Sequence, residues 1–164
     1  MNMTVNINIE GREDMVLKYL LLDLNGTIAH RGNLIAGIED VISKLNEDLE
    51  IFLISADTFG KASKIVEDLS ITLHKINKGE KTNLNEAEQK AALVKELGPE
   101  KTVAIGNGMN DSLMLKNAAL SFAILGREGL ALETMMNADL VFPSPVDALN
   151  ILLNPNSLRA SLRV

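Results

Sequence analysis

Short apolar runs alternate with amphipathic stretches along most of this chain. The runs fall at 16–23, 51–55, 71–76, 102–106, 121–125 and 139–142, and each ends in turn-like residues. Between them, helical spacing of apolar residues predicts helices at 37–49, 61–69, 86–97, 111–118, 129–136 and 146–153. Several runs are apolar almost throughout, as strands covered on both faces are. This alternation predicts right-handed βαβ crossovers and a doubly wound α/β fold, with a mainly parallel sheet sandwiched by helices. Before the first core run, Val5, Ile7 and Ile9 alternate with polar residues and Gly11 follows, which predicts a β-hairpin. No low-complexity stretch, Pro/Ser linker or charge block interrupts the pattern, so residues 1–164 read as one domain with 1–15 as an N-terminal hairpin extension.

Composition narrows the function classes. The chain has 164 residues, 22 acidic against 16 basic, for a net charge of −6. That balance argues against a phosphate-backbone binder and suits a protein that collects divalent cations. Aromatic residues make up 3% and there is no Trp, which removes the stacking platforms of single-stranded nucleic-acid binders. There is no Cys, so disulfides, thiolate chemistry and Cys-type zinc sites are excluded. No apolar run is long enough to span a bilayer, and the start lacks a signal-peptide layout. A soluble, cytoplasmic protein that binds neither nucleic acid nor membrane is expected.

In open α/β sheets ligands bind beyond the carboxyl ends of the strands. Four features stand there. Asp23 follows the first core run directly, and Gly26 allows close approach of the backbone to a phosphate. Taken alone, Asp23 also reads as a turn cap. Ser55 ends the second run and offers a hydroxyl to a phosphate oxygen, or a simple helix cap. Lys90 falls within the apolar arc formed by Ala87, Ala91, Val94 and Leu97, so it must either snorkel to solvent or meet an anion. After the run 102–106, Asn107 and Asp111 offer oxygen ligands of the kind hard cations prefer, while Asn110 and Asp111 are also ordinary helix caps. His30 and His74 share no metal-ligand spacing and read as loop and strand residues. No G-x-G-x-x-G follows the first strand, which argues against a dinucleotide-binding protein.

In order, LLLDLNGT, IFLIS, Lys90 and AIGNGMND resemble the four motifs of the haloacid dehalogenase superfamily of phosphoryl-transfer enzymes. Within it, the chain is most similar to small soluble proteins related to the phosphorylation domain of P-type ATPases, over nearly its whole length after the hairpin. The resemblance implies a phosphatase in which Asp23 is the nucleophile of an aspartyl-phosphate intermediate, with Ser55 and Lys90 as its catalytic partners. It implies phosphate binding by Asn25, Gly26, Ser55, Ala56 and Lys90. It also implies a Mg²⁺ cofactor held by Asp23, Asn25, Asn107 and Asp111.

Two positions depart from the family pattern. Asn25 stands where most of these phosphatases carry a second Asp as general acid and base, and it cannot exchange a proton with the leaving group. The P-type ATPases also lack an Asp there, and their aspartyl phosphate is long-lived. Asn107 stands where the fourth motif usually has its first acid, so Asp111 is expected to take a larger share of the metal. Only 27 residues separate Thr27 from Ser55, and 34 separate Ser55 from Lys90, too few for a cap domain beside a βα return of about 30 residues. The expected reading is a slow Mg²⁺-dependent phosphatase with an uncapped site acting on a phosphorylated substrate. Its competitor is a regulatory module that binds phosphate or Mg²⁺ and docks a partner. Oligomerisation is one way to wall such a site, and the stretch after Leu152 reads either as a partner-facing helix or as a solvated tail.

Overall fold

The computed structural model describes residues 4–56, 60–78 and 82–164. Its centre is a six-stranded, wholly parallel sheet built from β3 (Tyr19–Asp23), β6 (Glu50–Ser55), β7 (Thr72–Lys75), β8 (Thr102–Gly106), β9 (Leu120–Ile124) and β10 (Leu140–Phe142). The spatial order is β10-β9-β8-β3-β6-β7. The chain therefore leaves β3 toward one edge, then returns to build the other half from β8 outward. The order reverses between β3 and β8, where the fold opens its ligand crevice. Asp23 ends one of these two strands and Asn107 follows the other.

Side-chain alternation distributes the core to both faces. From β3, Leu20 and Leu22 join one apolar cluster while Leu21 joins the other, and β8 divides likewise between Val103 with Ile105 and Ala104. The first face is covered by α1 (Ile38–Leu45), α2 (Lys61–Leu69), α6 (Pro145–Asn150) and α7 (Pro155–Leu162), the second by α3 (Glu86–Leu97) and α4 (Ser112–Asn117). A short α5 (Leu132–Met136) follows β9. No helix among the described residues is long and apolar enough to cross a membrane.

The expected N-terminal hairpin is present: β1 (Val5–Ile7) pairs antiparallel with β2 (Met15–Leu17), and Ile7, Ile9 and Leu17 are buried. The run 16–23 is two strands rather than one. Lys18 breaks it, donating its N–H to Lys101 O and accepting from Glu50 N, so the chain passes from the hairpin into the parallel sheet at that residue. Helical spacing overran three elements: α1 stops at Leu45, α5 starts only at Leu132, and α6 gives way to a 3-10 turn at Ile151–Leu153. A second hairpin, β4 (Ala29–His30) with β5 (Asn33–Leu34), stands just beyond the first motif. The C-terminal stretch is a helix and not a solvated tail. As α7 it buries Leu158 and Leu162 in the protein's own core, and Val164 N donates to Glu10 O beside β1. Among the described residues, the connections after β3 and β6 hold a hairpin with α1, and α2 with β7, and no cap domain.

Candidate active site

Local structure first sets Lys90 in place. Asn85 caps α3 by accepting from Glu88 N at 2.9 Å, and Glu88 Oε2 accepts in return from Asn85 N at 2.8 Å. This fixes the start of the helix and leaves Lys90 on its second turn, facing the sheet with Ala91, Leu93 and Val94. The side chain does not snorkel: it is 2% exposed. Its Nζ donates to Asp23 Oδ1 at 2.8 Å and to Asp111 Oδ1 at 2.6 Å. Burial alone would pull this ammonium's pKa down, but the carboxylates of Asp23 and Asp111 outweigh it and hold the pKa above the ordinary lysine value.

Asp23 is therefore more than a turn cap. Burial, followed by the nearby charge of Asp111, raises its pKa to about 6 against the opposing pull of Lys90 and a hydrogen bond from Thr27. A pKa near 6 leaves it mainly ionised at neutral pH, the form in which a carboxylate can act as a nucleophile. Thr27 is fully buried and its Oγ1 lies 3.1 Å from Asp23 Oδ2 and 3.2 Å from Asn107 Oδ1, so one hydroxyl proton is shared between them. The quoted motif contained Thr27, but its role depends on a partner 80 residues away.

Asp111 is a cap and an ion-pair partner at once. Its Oδ2 accepts from Asn107 N at 2.9 Å and Gly108 N at 3.0 Å, while Oδ1 takes Lys90. Asn110 instead donates to Glu86 Oε2 at 2.8 Å, joining the helix of Lys90 to the turn after β8. That bond, ahead of the nearby Lys78, lowers the Glu86 pKa. Asn107 is held from the far side, where Ala131 N donates to its carbonyl at 2.9 Å.

Asp23, Asn25, Ser55, Ala56, Lys90 and Asn107 line one cleft of about 550 Å³ at the carboxyl edge of the sheet. Ser55 follows the residue of β6 that pairs with Asp23, which puts it beside the carboxylate's strand end. Asp111 lies beneath, fully buried behind Lys90. Gly26 does not line this cleft but allows its wall to close. With φ of 77°, a Cβ there would lie 2.5 Å from Asn107 Nδ2 and 2.9 Å from Glu128 Oε2. Arg31, Lys61 and Lys78 also reach the cleft from separate elements, and no motif in the sequence singled them out. His30 Nδ1 faces Glu128 Oε1 at 3.5 Å, and His74 lies on β7.

Among the described residues, no three His, Cys, Asp or Glu side chains converge to hold a metal. The donor set for a hard cation is instead mixed. Asp23 Oδ2 and Asn107 Oδ1 converge on Thr27, and the Asn25 carbonyl accepts no hydrogen bond among the described residues. Asp111 has fewer lone pairs left, because Lys90 and two backbone N–H groups occupy it. These are all oxygen donors with low total charge, which suits Mg²⁺ better than a softer metal.

No family model matches this sequence. An uncharacterized protein of Methanocaldococcus jannaschii, MJ0073, is 46% identical over 71 residues, 43% of this chain and 76% of that protein. A presumed HAD family hydrolase from Streptomyces avermitilis superposes with a TM-score of 0.62 at 16% identity, covering 83% of this chain and 88% of the other. A 3-deoxy-D-manno-octulosonate 8-phosphate phosphatase from Moraxella catarrhalis, solved with magnesium, phosphate and KDO, gives 0.64 at 11% identity over 88% and 90%. The chain belongs to the family of MJ0073, and its fold is that of the haloacid dehalogenase hydrolases.

Proposed function

We propose that this protein is a Mg²⁺-dependent phosphatase that works through an aspartyl phosphate on Asp23. The observation that carries the reading is the buried bridge from Lys90 to Asp23 and Asp111, at the strand-order reversal of a sheet shared with phosphatases. An Asp23 oxygen attacks phosphorus in line while the bond from phosphorus to the leaving oxygen breaks. Water then attacks the phosphoryl group, the Asp23–phosphate bond breaks, and inorganic phosphate leaves. Lys90 offsets charge on the phosphoryl oxygens, and Ser55 with the backbone at Ala56 binds them at the strand end. Asp23, Asn107 and the Asn25 carbonyl would hold Mg²⁺, with Asp111 behind them. When bound, that ion supplies charge neutralisation to the phosphoryl oxygens. Kinship with the P-type ATPase phosphorylation domain is part of this proposal, supported by the run Asp23 to Thr27 and by the missing acid at position 25.

A second reading, a phosphate- or Mg²⁺-binding regulatory module, is favoured by Asn25, which is exposed on the cleft and cannot carry a proton. Hydrolysis of an aryl phosphate with Mg²⁺, with EDTA and by the Asp23→Asn variant separates the two. Phosphate release that needs both Mg²⁺ and Asp23 supports the enzyme. Release that survives Asp23→Asn in a folded protein overturns the mechanism.

A further inference from the structure

Two cations at the mouth of the cleft stand against their local structural preferences. Arg31 and Gly32 are the central residues of the β4–β5 turn, where His30 pairs with Asn33 and both central residues have positive φ. Such turns favour Asn or Gly at the first central position, yet Arg31 holds φ of 50° there. Lys61 opens α2, where the helix dipole favours acidic residues, and the first turn of α2 has none. The two elements meet: a Cβ on Gly32 would lie 2.6 Å from Lys61 Nζ, so the bare glycine makes room for the ammonium beside Arg31. Local rules broken together at one cleft mark a functional requirement more often than an accident.

The charge balance of the cleft points the same way. Lys90 is taken by Asp23 and Asp111, and Lys78 lies 3.4 Å from Glu86. Among the described residues, the remaining carboxylate of the cleft, Glu128, faces His30. Arg31 and Lys61 make no ion pair among the described residues, in a chain whose net charge is −6. They also face a site with no cap domain, where the hairpin tip and the start of α2 supply the wall.

The geometry points to Arg31 and Lys61 as a second anion subsite, which selects a phosphomonoester carrying a further carboxylate or phosphate away from the scissile group. This rests on the phosphatase reading and names its substrate class. The scissile phosphoryl group lies on the floor at Asp23 and Lys90, and the second anion meets the rim. Its charge relieves the unfavourable dipole end of α2, and the guanidinium grips it in two places.

The test uses matched pairs: 3-phosphoglycerate against glycerol 3-phosphate, and a hexose 1,6-bisphosphate against the 6-phosphate. The readout is the ratio of kcat/KM within each pair, for the wild type, Arg31→Asn, Lys61→Gln and the double variant. Asn is the residue such turns prefer, so Arg31→Asn keeps the hairpin, which an unchanged Tm verifies. The wild type should favour the more anionic member by about tenfold or more, the worth of one charge-assisted hydrogen bond. Each variant should cut that ratio, and the double variant should bring it near one. Lys64→Gln, the same charge change one turn along α2 and outside the cleft, should leave the ratio alone. Preference for the carboxylate pair or for the bisphosphate pair identifies the source of the anion. Equal turnover within both pairs, or a preference that persists in the double variant, overturns the subsite. If no phosphomonoester is hydrolysed, the phosphatase reading fails by itself, and calorimetric titration of the same pairs then decides the subsite: tighter binding of the more anionic member, lost in the double variant, upholds it, and equal binding overturns it.

Discussion

Lys90 Nζ lies 2.6 Å from Asp111 Oδ1, with the lysine side chain 2% exposed and the aspartate side chain fully buried. The ammonium also reaches Asp23, so one cation is shared by two carboxylates, the Asp23 side chain being 13% exposed on the cleft. A lysine on an apolar helix face suggests that Met would pack there equally well. The pair changes that expectation, because Met would leave the carboxylates of Asp23 and the fully buried Asp111 without the cation they share.

Lys90→Met should therefore destabilise the fold by about 3–5 kcal/mol, the usual cost of breaking a buried pair from one side. Adding Asp111→Asn to it should recover part of that loss. Urea unfolding of the single and double variants checks this. A Met variant as stable as the wild type would mean that the two carboxylates share a proton when the lysine is gone.

Asp23→Asn is expected to behave in the opposite way. The Asp23 carboxyl titrates near 6 instead of its ordinary 3.8, raised by burial and then by Asp111. An acid whose folded pKa is raised contributes stability that is full below its unfolded pKa and lost as pH rises through the folded one. Asp23→Asn should thus match or exceed the wild type at pH 7.5, by on the order of 1–3 kcal/mol, and the advantage should vanish below pH 4. Metal-free thermal unfolding across that range gives the measurement. A variant less stable at pH 7.5 would show that its hydrogen bond to Lys90 outweighs the burial of its charge.

Much of this site was legible in the sequence, and for definite reasons. Asp23, Ser55, Asn107 and Asp111 stand at or just after strand ends, so a reading of strand order alone brings them to one edge. Lys90 was visible because a charge in an apolar arc breaks helical periodicity. The β4–β5 hairpin was not visible, since two-residue strands show no alternation. Arg31 and Lys61 escaped for a related reason: each looks like an ordinary surface cation until Gly32 brings the hairpin against α2. Helix α7 carries only two buried leucines, too few to distinguish docking from solvation by pattern.

Thr27→Val keeps the shape of a fully buried side chain and removes its hydroxyl. Asp23 Oδ2 and Asn107 Oδ1 then both lose a donor, at a cost of about 1 kcal/mol or more. Because that hydrogen bond lowers the Asp23 pKa, its loss should move the Asp23 titration upward from about 6. Carbon-13 NMR of labelled aspartate in metal-free protein follows the shift, with Thr27→Ser restoring the original value. An unmoved titration would mean that the Thr27 proton points to Asn107 alone.

Asn25 offers the sharpest test of turnover. It is exposed on the cleft wall two residues beyond Asp23, but its amide neither donates an acidic proton nor accepts one as a base. In the proposed reaction a leaving group must then depart unprotonated, and the water that attacks the proposed aspartyl phosphate has no base at this position. A positioned acid–base group is typically worth ~10²–10⁴-fold in rate. The wild type should therefore turn over slowly and prefer aryl phosphates, whose leaving groups need no proton, over alkyl phosphates. Asn25→Asp should raise hydrolysis most for the alkyl phosphate. The gain should fall short of the full range, because a new carboxylate two residues from Asp23 raises the Asp23 pKa further. Steady-state hydrolysis of one aryl and one alkyl phosphate by both proteins at saturating Mg²⁺ measures the effect. Fast wild-type turnover of both, with no gain from Asn25→Asp, would show that another group of the cleft already supplies the proton. An equal gain on both substrates would instead place the missing group in the water-attack step, since only leaving-group protonation distinguishes aryl from alkyl.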